Sequence, residues 1–302
     1  MLKRWINLGV SVLVAVTDGL KNVFSRLVGR KPRTCVVLAY HSVPPDQRAL
    51  FAQQMDVLAR VATPIRADVP APPEKGGRYA VITFDDGLES VFDNALPELR
   101  KRAIPATLFI VPEVLGGYPN WEYFDTPDPS TDKVMSIQQL QEIPTDLVTI
   151  GSHSMTHPVL PKIDDARLRK ELLGSRETLE KMLNREIRLF SFPYGACDQR
   201  VIEQCREAKY DRVFSALPVL AFTEPQEFLT GRVGVCPTDW PIEFHLKLMN
   251  AYRGVFVAAT LRRKARKAIR TVLLRSKSPS ESRTLHQYHE NVDAKHYSDA
   301  GT

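Results

Sequence analysis

Two adjacent carboxylates, Asp85 and Asp86, close the run Tyr79-Ala-Val-Ile-Thr-Phe-Asp-Asp-Gly87. The apolar, β-branched part of that run has the length of a buried strand. In parallel α/β sheets and barrels, chemistry is done at the carboxyl ends of strands. Two like charges side by side are costly to bury unless a cation or a proton is shared between them. Taken alone, the stretch leaves a solvated Asp-Asp-Gly turn open as the alternative. Further along, Leu147-Val-Thr-Ile-Gly-Ser-His-Ser-Met-Thr-His-Pro158 ends a second apolar run in His153 and His157. Histidines at i and i+4 lie on one face of a helical turn, close enough to reach one metal. Pro158 disfavours helix at His157, which puts the pair on a single turn just beyond a strand end. With Asp86 from a neighbouring strand, the set suits zinc or another divalent metal (cobalt, nickel or manganese) and leaves coordination positions open.

A third segment, Arg188-Leu-Phe-Ser-Phe-Pro-Tyr-Gly195, ends a further strand. In this order and spacing, Thr-Phe-Asp-Asp-Gly, His-Ser-Met-Thr-His and Phe-Pro-Tyr-Gly resemble the motifs of the polysaccharide deacetylase family (carbohydrate esterase family four). The resemblance spans roughly residues 35–251. It implies metal-dependent removal of acetyl groups from N-acetylhexosamine units of a bacterial-type glycan. It also implies Asp85 as general base, Asp86, His153 and His157 as ligands, and an oxyanion held near the Tyr194 backbone. Gly195 would let the chain turn tightly there. Pro193 and the loop residue Trp121 fall where substrate would bind.

Two positions depart from the family pattern. Where many members carry an arginine that orients the base, this chain has Ser191, which cannot grip a carboxylate with two hydrogen bonds; Arg232 is the candidate replacement. The general acid, usually taken from a late Leu-x-His segment, has His245 as its candidate, with Trp240 beside it to cover the ring or contact substrate. His41, at another strand end, is the rival. A glycosidase would need two carboxylates flanking one bond and would leave the histidines unused. A catalytically inactive carbohydrate-binding barrel is the non-enzymatic alternative.

The elements that must position these groups alternate. Strand-like runs at 34–40, 79–84, 106–111, 147–152, 188–191, 210–215 and 228–235 are mostly separated by helical patterns, which argues for a parallel α/β arrangement. The resemblance implies a distorted (β/α)7 barrel. A capped helix beginning after Ser136 and a long helix over 164–183 with Leu168, Leu172, Leu179 and Leu183 inward are expected. The loop over 112–133 carries Tyr118, Trp121, Tyr123 and Phe124, rings suited to stacking on sugars. The chain has 302 residues and a mild formal charge of +6, and it contains no repeat. Nothing here predicts a nucleic-acid partner. Cys35, Cys197, Cys205 and Cys236 are scattered without metal or disulfide spacing.

The ends differ from the middle. Residues 1–33 read as an amphipathic segment, Ile6, Val10, Leu13, Leu20, Phe24 and Leu27 opposing Asn7, Ser11, Asp18, Lys21 and Ser25. That pattern, with basic flanks, predicts a helix lying in an anionic membrane interface, the cytoplasmic face preferred over the periplasm. Its apolar run is interrupted and short for a span. The barrel is expected over 34–252. Residues 253–302 read as a basic helix followed by a polar, disordered tail in which His286, His289 and His296 offer weak metal donors.

Overall fold

The computed structural model describes residues 2–29, 33–70, 76–121, 132–219 and 221–260. Parts of the aromatic loop, including Tyr123 and Phe124, and the tail from 261 onward lie outside the described residues.

Among the described residues, nine parallel strands make the sheet. They are β1 (Arg33–Tyr40), β2 (Thr63–Pro64), β3 (Gly77–Phe84), β4 (Ala106–Ile110), β5 (Val148–Ser152), β6 (Leu189–Ser191), β7 (Arg212–Ser215), β8 (Leu229–Gly231) and β9 (Val233–Gly234). The order runs β8-β7-β6-β5-β4-β3-β1-β9, with β2 adding a short edge to β3. The single strand expected over 228–235 is thus two. β8 pairs with β7 and β9 pairs with β1, so the two halves nearly close the barrel, with Arg232 at the break between them. Counting β8 and β9 as one split strand and setting β2 aside, the expected seven-strand circuit is present. Its weakest seam is β5–β6, where Ser152 facing Phe190 is the one registered pair.

Strand period two separates the interior from the outer layer. Val36, Leu38, Tyr40, Ile82 and Phe84 join the layer packed under the helices, whereas Cys35, Val37, Tyr79, Val81, Phe109, Leu189 and Phe214 form an apolar plug inside the barrel. A Cβ on Gly151 would lie 2.6 Å from the Phe109 ring and 2.9 Å from the Leu189 carbonyl, so glycine there makes room for the plug. Continuing the alternation beyond Tyr79 and Val81 puts Thr83 and Asp85 on the inward face.

Helices α2 (Arg48–Val61), α3 (Leu96–Arg102), α4 (Ile137–Glu142), α5 (Asp165–Arg169), α6 (Ser175–Leu183), α7 (Gln199–Glu207) and α8 (Pro241–Leu248) follow α1 (Leu2–Leu27) in the chain. Ser136 caps α4 in a capping box with Gln139. The long helix over 164–183 forms with all four predicted leucines buried, but a wide π turn, Lys170–Gly174, separates α5 from α6.

At 26 residues α1 reaches about 39 Å. Its Leu2–Ser25 stretch is long and apolar enough to cross a membrane by length and composition, which corrects the expectation of a run too short to span. Its polar side faces the protein. Ser11 is fully buried, Arg4 pairs with Glu243, Asp18 pairs with Arg253, and the Trp5 ring meets Trp240 edge-on at 5.3 Å. Ile6, Leu13, Leu20, Phe24 and Leu27 point outward. Val10 departs from the expected apolar side, lying instead toward Gly254.

Candidate metal centre

Asp86 lies two residues beyond the end of β3 and adopts a left-handed conformation (φ 67°), which a short polar side chain tolerates better than most. His153 follows β5, and its N–H donates to the Ile110 carbonyl at 2.8 Å, extending the β4–β5 ladder by one bond. His153 Nδ1 donates to the Ser191 carbonyl at 2.8 Å, which leaves Nε2 as the free donor atom turned toward Asp86. His157 closes the loop, its N–H held by Ser154 Oγ at 3.0 Å.

Asp86 Oδ1 lies 3.5 Å from His153 Nε2 and 3.4 Å from His157 Nε2. Both separations exceed an ordinary hydrogen bond. They match the edge of a tetrahedron whose metal bonds are about 2.1 Å long, roughly 3.4 Å. One donor atom from each of the three residues lies within 4.8 Å of the others, and all three residues are buried. Burial, followed by the charge of His153, pushes the His157 imidazole well below its ordinary range. It is therefore neutral at physiological pH, the state that ligates. Buried donors of this kind, with separations suited to coordination, fit a divalent cation.

The rings around His157 form a wall. Trp121 stacks on it at 4.3 Å between centroids, and Tyr194 meets it edge-on at 4.6 Å. Tyr194 sits at φ 58° in the turn Pro193–Gly195. Gly195 is required there: at φ 64°, an added Cβ would lie 2.3 Å from the Ala216 Cβ. Pro193 opens this turn and is buried.

Asp85 is fixed from the opposite side. Arg232 Nη1 and Nη2 donate to its two oxygens, each at 2.7 Å. The same guanidinium reaches Thr83 Oγ1 at 3.2 Å, Ser191 Oγ at 2.7 Å and the Ser215 carbonyl at 3.5 Å. Burial alone would raise the Asp85 carboxyl. The charges of Arg232 and His153, with the Arg232 hydrogen bonds, outweigh that and hold it well below the usual carboxylate range. Ser191 was not a candidate in the sequence, which showed only that it cannot replace an arginine. In the fold its side chain supports Arg232 while its carbonyl fixes His153. The signal was its place at the end of a strand, one residue before the Phe-Pro-Tyr-Gly turn.

Two candidates are not brought to this group. Trp240 lies against α1, with the Arg4 guanidinium 4.0 Å over its ring and Trp5 in edge contact with it, so one of its faces is taken up by helix packing. His245 lies in the middle of α8, and no hydrogen bond or ion pair among the described residues connects it to Asp85 or to the three donors. His41, by contrast, is exposed at the end of β1, and its charge acts on both Asp85 and His157.

Residues 73–213 match the family model described as polysaccharide deacetylase. YxkH of Bacillus subtilis (strain 168), provisionally named a polysaccharide deacetylase, is 22% identical over 218 residues, 68% of this chain and 73% of that protein. The structure of IcaB from Ammonifex degensii is similar at 27% identity and a TM-score of 0.59, covering 72% of this chain and 98% of that one. The Streptococcus pyogenes deacetylase PplD shares the fold at 18% identity and a TM-score of 0.58, over 72% of this chain and 99% of that one.

Proposed function

This chain belongs to the polysaccharide deacetylase family, and from that premise we propose that it hydrolyses the N-acetyl amide of N-acetylhexosamine units in a bacterial-type poly- or oligosaccharide. The observation that carries the reading is the buried Asp86–His153–His157 cluster, 3.4–3.5 Å across its oxygen–nitrogen edges, beside an independently held carboxylate. When bound by these three residues, a divalent metal (zinc being the first choice for this donor set) polarises the acetyl carbonyl and makes water acidic enough to attack. Asp85 receives the proton of the attacking water. Its bidentate grip by Arg232 fixes the orientation of its oxygens but weakens it as a base, so it serves a nucleophile that has already been made acidic. The Tyr194 backbone N–H, in the left-handed turn, is assigned to the developing oxyanion. His41 returns a proton to the leaving amine, and His245 is set aside because it lies within α8. Trp121, stacked on His157, walls one side of the acetyl pocket.

The chain divides into an amphipathic segment (1–33), the barrel (34–252) and a basic C-terminal segment (253–302). The exposed apolar side of α1 is assigned to an anionic membrane surface, which makes the protein peripheral.

Acetate release from a chitooligosaccharide, with and without chelator, tests the function. Chelator-sensitive acetate supports hydrolysis at the amide. New reducing ends would mark a glycosidase, and binding without either product would mark an inactive barrel. Elemental analysis of Asp86→Ala and His157→Ala is expected to show metal lost or greatly reduced; full stoichiometric metal in both removes the site.

A further inference from the structure

Between the two histidines the backbone reverses through Ser154 (φ 66°) and His157 (φ 59°). L-residues adopt that region only where their surroundings impose it. The imposing group comes from another element. Glu171 Oε2 accepts from the Met155 and Thr156 N–H groups, both at 2.9 Å, and its Oε1 accepts from Thr156 Oγ1 at 2.6 Å. The residue is 3% exposed. It stands in the π turn Lys170–Gly174, a local widening that often accompanies functional positions.

All three of these bonds go to Met155 and Thr156, two of the three residues between His153 and His157. The helix carrying Glu171 is anchored by other means. Ser175 Oγ meets Ser152 Oγ at 2.8 Å, and the Tyr210 hydroxyl donates to the Leu172 carbonyl at 2.8 Å. Arg167 Nε, 3.9 Å from Oε1, is a charged neighbour of the carboxylate on its own helix. Removing the carboxylate therefore takes three bonds from the loop, leaving the Glu113 N–H on the Met155 carbonyl at 3.3 Å, while the helix stays attached to the barrel.

We propose that Glu171 is a positioning residue for the metal centre, clamping the backbone between His153 and His157 and so setting how the second imidazole meets Asp86. This rests on the reading that Asp86, His153 and His157 hold a divalent metal. Groups that orient metal ligands at one remove typically carry a 10–100-fold share of affinity, and the effect here should fall in about that range.

The test titrates cobalt(II) into full-length wild type, Glu171→Ala, Glu171→Gln and Thr156→Val, following visible absorption and the thermal transition of the metal-free proteins. Glu171→Ala should bind cobalt about 10–100-fold more weakly with an altered ligand-field band, its metal-free transition staying near wild type. Glu171→Gln should stay close to wild type, because one amide oxygen can accept both backbone N–H groups while its NH₂ donates to the Thr156 hydroxyl. Thr156→Val, which loses one of three bonds, should fall between. Wild-type affinity in Glu171→Ala overturns the proposal. So does Glu171→Gln as weak as Glu171→Ala, since the effect would then be one of charge and not of acceptor geometry. Should Glu171→Ala fail to fold, an unchanged affinity in Thr156→Val overturns it equally. A wild-type protein that binds no cobalt instead sinks the underlying metal reading.

Discussion

At Asp85, burial and pairing pull against each other, and the geometry decides between them. A carboxylate this enclosed would ordinarily take up a proton, yet two 2.7 Å bonds from one guanidinium keep it ionised. Removing one partner of such a pair leaves a buried charge uncompensated, at a typical cost of about 3–5 kcal/mol. Asp85→Asn keeps the shape and loses the proton acceptor, so turnover should fall roughly 10²–10⁴-fold with metal content unchanged. Arg232→Ala should also lower turnover at unchanged metal content, and the double variant should be clearly sub-additive in a double-mutant cycle, since Arg232 can orient only a base that is present. Additive losses would mean that Arg232 acts elsewhere. The Asp-Asp pair and the i, i+4 histidines were legible because their spacing is local. The Arg232 partnership spans 147 residues of sequence; the missing arginine in the third motif suggested it, but only the closing strand brings it about. Glu171 left no trace in the sequence, since it acts mainly on backbone N–H groups, and Ser191 showed only its place at a strand end, since its contacts with Arg232 and His153 come from distant parts of the chain.

The elements that deliver these groups are interrupted where the groups are needed. The seventh strand divides into β8 and β9 with Arg232 between them; Gly231 and Arg232 interrupt the apolar pattern there, but the spacing alone does not tell a break from a strand that continues. The turn at Pro193–Gly195 is equally specific. Gly195→Ala would place a methyl 2.3 Å from the Ala216 Cβ in a left-handed conformation. Overpacking of this kind typically costs about 1–3 kcal/mol, with a further ~1–2 kcal/mol from the backbone. Chemical denaturation should register that loss, and turnover should fall with it as Tyr194 is displaced. A neutral effect on both would mean that the turn yields freely. At α1 the decisive groups are ionic. Burial raises the Glu243 carboxyl, but the Arg4 hydrogen bond and the Trp240 backbone outweigh it and leave the carboxyl below its ordinary range. A depressed acid contributes stability that is fully present above its unfolded pKa of about 4.3 and is lost as pH falls through the lower folded value. Docking of α1 should therefore persist at neutral pH and loosen in strong acid, read by the fluorescence of Trp5 as its contact with Trp240 parts. Glu243→Gln should abolish that acid dependence.

For the whole molecule, the question is which way a helix attached by its polar side can face. The sequence revealed an amphipathic segment but not which side would meet the barrel, because the usual rule, apolar inward, is reversed here by Arg4–Glu243 and Asp18–Arg253. Arg4 lies beside the loop after β9, at the barrel mouth, and Asp18 lies near Arg253 beyond α8. α1 therefore runs along the flank of the barrel from the mouth toward the start of β1. The peripheral placement proposed above keeps this pose, since the barrel occupies one side of the helix and leaves the apolar side for a bilayer. The helix can lie on one, lowering Ile6, Leu13, Leu20 and Leu27 into the interface with the mouth opening along the membrane plane. Leu13 and Leu20 are 66% and 68% exposed, so replacing both by Glu leaves the barrel packing untouched. Each leucine buried in lipid contributes about 1.5–3 kcal/mol, so the double variant should bind anionic vesicles at least about 100-fold more weakly than wild type. Wild-type binding to preformed vesicles should also be reduced by salt, since anionic headgroups attract the basic flanks through screened charge. Cosedimentation at two ionic strengths measures both effects. Salt-resistant attachment unaffected by the two glutamates would mean that α1 leaves the barrel and inserts across the bilayer. Dissociation of a dimer by the same substitutions, without lipid, would assign the apolar stripe to a second copy of the chain.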